Sequence, residues 1–278
     1  MPAPPDDART FTAECASVAP CGEDGVVLRL RREEPLPPLR AARFFMLSAD
    51  VPGFPAIPRP FSIYRQEGGE LEFLIKVMGR GTRAFASLPE GTQVRVTGPL
   101  GNGWPDIDSS AHAVMLAGGI GSAPFYMAIE QALAGSHGSK LDPSDMTLVY
   151  GAATKGFLYD IERFAALGVR VVAATDDGTE GFHGNALQAL KQGWETGEIP
   201  EDCKLYACGP DPMLHATERL ARERGLECWL SLEDLMGCGV GICNGCPVPT
   251  LPEGSMGDWP NAKCCVEGPV FSIADVTL

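Results

Sequence analysis

Val114-Met-Leu-Ala117, followed directly by Gly118-Gly-Ile-Gly-Ser-Ala-Pro124, is the stretch on which the fold turns. Four apolar residues in a row read as a strand buried on both faces, and the glycines as the tight turn that leaves it. Pro124 then suits the first turn of a helix, where a missing N–H breaks no hydrogen bond. The same alternation continues downstream: strand signals at 147–150, 169–174 and 204–207, with helix signals at 124–133, 159–167, 185–191 and 212–224. Strands alternating with helices over short connections predict a doubly wound parallel α/β sheet over residues 106–228, with ligands at the carboxyl ends of its strands.

Upstream the texture differs. Short alternating runs at 26–31, 44–47, 71–77 and 93–97, broken by the proline-rich loops 34–38 and 51–58, predict a small antiparallel β-barrel or sandwich over residues 1–105, the barrel being the expected form. Residues 98–104, Gly-Pro-Leu-Gly-Asn-Gly-Trp, read as a breaker between the two units.

Beyond 228 the chain is too short and too rich in Gly, Cys and Pro to hold a core of its own size, so a metal centre would organise residues 229–278. It contains Cys238-Gly-Val-Gly-Ile-Cys243-Asn-Gly-Cys246, then Cys264-Cys265. Cysteines separated by four and then two residues, with a later thiol, match the plant-type [2Fe-2S] ligand spacing. Gly237, Gly239, Gly241 and Gly245 let amides approach the cluster sulfurs. A structural zinc site is the alternative, although zinc motifs usually pair two short Cys-x-x-Cys hooks. Spacing leaves Cys264 and Cys265 equal as fourth ligand; the unused one would be an ordinary buried thiol.

Composition excludes several classes. A formal charge of −14 and a pI near 4.7 argue against nucleic acid or an anionic membrane surface as partner. No apolar window spans a bilayer, and the acidic, proline-rich first residues do not resemble a secretory signal, so a cytoplasmic location is expected. Half of the ten cysteines crowd into the cluster-like segment, which fits a reducing compartment better than a disulfide framework.

Three further motifs carry chemistry. Arg59-Pro-Phe-Ser62, Ile75-Lys-Val77 and Gly81-Thr82 at a helix start suit a phosphate and a ring, or else a surface arginine and a plain cap. The glycines at 118, 119 and 121 suit a pyrophosphate or close strand-to-helix packing, though they depart from Gly-x-Gly-x-x-Gly. Cys208-Gly-Pro210 places a thiol at a strand's carboxyl end, where a ring-sized substrate or merely a small buried residue fits. Asp176 and Asp177 could face a ribose or solvate a turn, and Thr154 and Lys155 stand where a 2′-phosphate would be read; His183 and His215 read as surface residues.

Taken in order, Arg-Pro-Phe-Ser, Gly-Gly-Ile-Gly-Ser-Ala-Pro, Cys-Gly-Pro-x-x-Met and Cys-x4-Cys-x2-Cys with Cys-x-x-Gly-Pro-Val-Phe resemble the electron-transfer subunits of the NAD-dependent (type B) dihydroorotate dehydrogenases, over nearly the whole chain. The first three motifs belong to the wider ferredoxin-reductase superfamily; the cluster motif, preceded by Leu232-Glu-Asp-Leu-Met236, narrows the match. The resemblance implies that Arg59, Pro60, Phe61, Ser62, Ile75, Lys76, Val77, Gly81 and Thr82 hold FAD. It implies that Gly118, Gly119, Gly121, Cys208, Gly209 and Pro210 face NAD, and that Cys238, Cys243, Cys246 and Cys265 ligate [2Fe-2S]. It further implies a partner, the FMN-containing catalytic subunit that oxidises dihydroorotate in pyrimidine (UMP) biosynthesis, in a heterotetramer of two plus two. No catalytic residue is assigned to this chain itself. Related reductase subunits, of a ferredoxin:NADP oxidoreductase, a sulfide dehydrogenase or a sulfite reductase, share the same motifs; a zinc-loaded regulatory protein is the alternative of a different class.

Overall fold

The structure, a computed structural model, describes residues 7–136 and 140–278, so the proline-rich start at 1–6 lies outside the described residues. Strands β1 (Arg9–Cys21), β2 (Gly25–Arg31), β3 (Phe44–Ala49), β4 (Arg59–Ser62), β5 (Arg65–Glu67), β6 (Glu70–Lys76) and β7 (Gln93–Leu100) make one antiparallel sheet. Their order is β4-β3-β7-β1-β2-β6-β5, an antiparallel half-barrel, with helix α1 (Arg80–Ala86) between β6 and β7. In β2, Leu28 and Leu30 point inward while Arg29 and Arg31 point out, the alternation of a sheet with one wet face. Phe45 and Phe73, both fully buried, meet edge-to-face at 5.7 Å in the core.

The second unit is built from β8 (His112–Gly118), α2 (Ala123–Ala134), β9 (Met146–Ala152), α3 (Ile161–Ala165), β10 (Arg170–Thr175), β11 (Phe182–His183), α4 (Ala186–Glu195), β12 (Cys203–Cys208), α5 (Asp211–Arg224) and β13 (Cys228–Ser231). All of its strand pairs are parallel, as the apolar runs predict. The cysteine segment then adds a hairpin, β14 (Pro247–Pro249) with β15 (Asn261–Lys263), and β16 (Val270–Ser272).

The segment expected to begin at 229 is not a separate body. β13 pairs with β12 in the parallel sheet, and β16 returns antiparallel to β13, with Leu230 opposite Phe271. The sheet order is therefore β11-β10-β9-β8-β12-β13-β16, and the buried Phe271 joins the core of the nucleotide unit. The supposed breaker also differs from its reading: Gly98 to Leu100 lie in β7, opposite Arg9 and Phe44, because the pairing with β3 bulges between Phe44 and Met46 and so leaves room for a proline in the strand.

Residues just beyond β7 clamp all three parts together. Asn102 donates through Nδ2 to the Glu267 and Val270 carbonyls at 2.8 and 2.7 Å, and its Oδ1 accepts from the Val270 amide at 3.1 Å. Trp104 donates to the Pro124 carbonyl at 3.1 Å and stacks on Phe125 at 5.2 Å. On the opposite side of the seam, Arg163 of α3 stands 2.9 Å from the buried Glu72 of β6, over the Tyr126 and Tyr64 rings. Glu72 also takes Arg29 at 3.0 Å, so losing Arg163 leaves its charge half compensated. Arg163→Met is expected to cost about 1–2 kcal/mol, below the 3–5 of a fully buried pair because the arginine is partly wet. Urea unfolding measures it; an unchanged midpoint would assign the seam to apolar packing alone.

Candidate functional site

Two clefts open along the seam. The first, about 830 Å³ when its open mouth is counted, has Pro60, Phe61, Ser62, Ile75, Lys76 and Thr82 on its barrel side. Pro124, Cys208, Leu232 and Glu233 face them from the sheet side. Six of the nine residues expected to touch FAD thus line one cavity. Of the other three, Val77 donates its amide to the Asp24 carbonyl at 2.7 Å, and Arg59 lies over the start of α1 with Nη1 on the Ile57 carbonyl at 2.8 Å. Gly81 makes that possible: a Cβ there would stand 3.0 Å from Arg59 Nε. Thr82 caps the helix, its Oγ1 accepting from the Met78 and Gly79 amides at 2.9 and 3.0 Å. Arg80 and Arg83 on the same short helix are exposed, in a chain that is acidic as a whole.

The second cleft lies at the carboxyl ends of β8, β9 and β10, about 1460 Å³, where parallel sheets bind ligands. Gly118, Gly119, Asp176 and Pro210 line it, and Lys76 is shared with the first cleft. The glycines divide their work. Gly119, at φ +53°, faces open space. Gly121 is buried, and a Cβ on it would fall 2.3 Å from the Cys208 carbonyl; one on Gly118 would fall 2.6 Å from Pro210. Gly209 in turn lies against the Gly118 backbone. Gly121 and Gly209 therefore serve the close approach of two loops, and that approach brings Cys208 to the first cleft and Pro210 to the second. Cys208 is buried and its thiol pushed well up, by burial first and then by Glu233, so it is a neutral surface there and not a thiolate.

Asp177 solvates a turn, accepting from the Thr179 amide at 3.0 Å, whereas its neighbour Asp176 faces the nucleotide cleft. Thr154 accepts from the Gly156 amide, and Lys155 pairs with Glu180 at 2.8 Å. His183 and His215 are exposed.

The cysteine loop rests on the barrel. Gly239 packs on Met46 and Leu100, where a Cβ would fall 2.6 Å from the methionine. Cys243 is exposed, Cys238 half-buried, and Cys246, Cys264 and Cys265 buried. Burial opposes charge on Cys238, but the amides of Cys243, Val240 and Ile242 outweigh it and lower this thiol to about 6. Such a cradle of amides around a sulfur is the environment an anionic cluster requires. The adjacent thiols separate by direction. Cys265 lies against Cys246 and the Gly241 amide, while Cys264 turns inward and donates to the Leu232 carbonyl at 3.5 Å. No three His, Cys, Asp or Glu side chains converge on one point as ligands of a single ion would, among the described residues.

Sequence reasoning missed Asn102 and Glu233. Asn102 sits in a glycine-rich stretch that reads as a linker. Glu233 stands in the run ahead of the cysteines, and no local pattern tells that its carboxyl enters the cleft.

A half-barrel with a flavin-sized cleft, joined to a parallel nucleotide sheet and a thiol loop with aimed amides, defines an oxidoreductase of the ferredoxin-reductase fold. Family models agree along the chain: an oxidoreductase FAD-binding domain over residues 22–104, an oxidoreductase NAD-binding domain over 115–219, and the iron-sulfur cluster binding domain of dihydroorotate dehydrogenase B over 233–277. The dihydroorotate dehydrogenase B (NAD(+)) electron transfer subunit of Bacillus cereus strain Q1 is 36% identical over 81% of this chain and 82% of its own length. That of Bacillus anthracis strain CDC 684 matches equally. The structure of an NADH-dependent reduced ferredoxin-NADP oxidoreductase superposes with a TM-score of 0.77 at 25% identity, over 95% of this chain and 89% of that one. The chain belongs to the family of dihydroorotate dehydrogenase B electron transfer subunits. It binds FAD, NAD and an iron-sulfur cluster. No helix among the described residues is long and apolar enough to cross a membrane.

This geometry makes two outcomes measurable. Gly121→Ala is expected to destabilise the chain by about 2 kcal/mol or more, since its Cβ meets backbone, while Gly119→Ala costs about 1 kcal/mol for its left-handed φ; the latter keeps the fold and weakens NADH binding. Thermal melts and NADH titrations of both variants separate packing from nucleotide contact. Glu233 is exposed as a whole, but the cleft walls crowding its carboxyl, and then Asp211, raise that carboxyl above its ordinary 4.5. The folded chain thus keeps a proton that the unfolded chain has released, and stability falls as pH rises through that interval. Glu233→Gln should melt higher than the wild type near pH 7 and equally near pH 4; the reverse order would place the carboxylate in a favourable polar setting.

Proposed function

We propose that this chain passes electrons from the FMN-containing, dihydroorotate-oxidising subunit of a dihydroorotate dehydrogenase complex to NAD+, in the cytoplasm, within an assembly of two copies of each subunit. The observation that carries this reading is the thiol loop seated directly on the barrel, joined to both cofactor-binding units in one body. When bound, the cluster supplies one-electron transfer, the nicotinamide hydride transfer, and the flavin both, which puts FAD between the other two.

The chain's own residues hold these groups in place. Pro60, Phe61, Ser62 and Ile75 would seat the flavin ring, with Thr82 at the helix start and Arg59 beside it near the phosphates; Arg80 and Arg83 add positive charge there. Gly118 and Gly119 leave the pyrophosphate room at the second cleft, while Gly121 and Gly209 keep the two loops closed so that Pro210 and Cys208 flank the nicotinamide. Asp176, facing the same cleft, would accept a ribose hydroxyl and repel a 2′-phosphate, which favours NAD over NADP. Cys238, Cys243, Cys246 and Cys265 would ligate the cluster, since the Cys264 thiol is engaged with the Leu232 carbonyl and Cys265 lies beside Cys246. The exposed Cys243, with Leu235 and Ile242 beside it at 89% and 80% exposure, forms the rim on which the catalytic subunit would dock.

Cys243→Ser is expected to abolish NAD+ reduction coupled to the dihydroorotate-oxidising partner while leaving NADH-to-dye activity, with NADPH oxidised much more slowly. An anaerobic visible spectrum of the variant checks that flavin remains. Loss of both activities would mean that the cluster serves folding alone, and equal NADPH rates would overturn the nucleotide preference.

A further inference from the structure

Between residues 233 and 277 the chain carries six carboxylates and one basic side chain, Lys263. Lys263 ends β15, immediately before the paired cysteines, and is half-buried. Its ammonium makes no ion pair among the described residues; it donates to the Gly241 carbonyl at 2.8 Å. The nearest acidic side chain in sequence, Glu267, is engaged elsewhere, its Oε2 accepting the Lys263 backbone amide at 2.6 Å. A positive charge is thus left uncompensated against the cysteine loop of a strongly acidic chain.

The carbonyl it holds opens the turn that runs from Gly241 to Cys243, and the Cys243 amide at the far end of that turn donates to the Cys238 sulfur at 3.4 Å. The ammonium is therefore both a charge and a tether at the loop that carries this sulfur. Gly241 lets the loop present itself this way: its φ is +81°, and a Cβ would fall 2.7 Å from Val266.

We propose that Lys263 is a positioning residue that raises the reduction potential of the iron-sulfur cluster, as a positive charge tethered to the cysteine loop at the Gly241 carbonyl. Reduction adds one negative charge to a centre that is already anionic, and hydrogen bonds to its sulfurs together with the local net charge set how readily that happens. The ammonium, held against the loop, favours the reduced form, which offsets the six carboxylates of the segment. This rests on the assignment of Cys238 as a ligand given above.

The test is an EPR-monitored redox titration of the full chain carrying FAD and cluster. Lys263→Met should shift the cluster's oxidised-to-reduced ratio at fixed potential by tenfold or more toward oxidised, about 59 mV downward for a one-electron couple, with the FAD midpoint unmoved. Lys263→Arg should recover most of the shift. A Met variant with full cluster content and the wild-type midpoint overturns the proposal. If the Met variant loses its cluster, Lys263→Gln against Lys263→Arg decides on the same criterion: a lower midpoint in the Gln variant supports the role, and equal midpoints overturn it. A wild-type chain with no [2Fe-2S] signal overturns the ligand assignment, and this role with it.

Discussion

The pairing of Leu230 with Phe271 is the contact on which the arrangement depends. A segment of some fifty residues rich in Gly, Cys and Pro buries too little apolar surface to stand alone, and metal by itself would leave it on a tether. The chain instead leaves the parallel sheet at β13, makes the thiol loop and a hairpin, and re-enters the same sheet as an antiparallel edge. This puts Phe271 in the nucleotide core and presses Gly239 onto Met46 of the barrel. The loop is thereby fixed against two cores at once, and Asn102 ties the junction from the barrel side.

Closeness is the second theme of the site. Gly118, Gly121 and Gly209 are small because two strand-to-helix turns meet there with no room for a Cβ. The same approach brings Cys208 to one cleft and Pro210 to the other, so packing and ligand placement are one requirement. Gly119, beside them, is the one with a left-handed φ and open space around it.

Much of this was legible in the sequence. The parallel strands announced themselves as unbroken apolar runs, since both their faces are covered, and the end of β2 as an alternation, since one face is wet there. The cysteine spacing pointed to a cluster before any coordinate did. What stayed hidden is what depends on partners distant in sequence. Val270–Ser272 is three residues long and carries no period, so its return to the sheet could not be read. Asn102 looks like a loop residue until the Glu267 and Val270 carbonyls arrive 165 and 168 positions later. Cys264 and Cys265 differ only in which way a side chain points, which spacing does not encode. Lys263 showed no pattern at all; its meaning lies in the carbonyl it reaches.

Two domains joined by a linker ordinarily swing relative to one another, and many reductases could use such a hinge to admit a nucleotide. Here the cysteine segment is part of one unit and fastened to the other, so opening the seam would require peeling β16 from β13 or pulling Asn102 off its carbonyls. The clamp makes the molecule a rigid frame. In a frame of this kind the distance between the two clefts and the cysteine loop is set once, at folding.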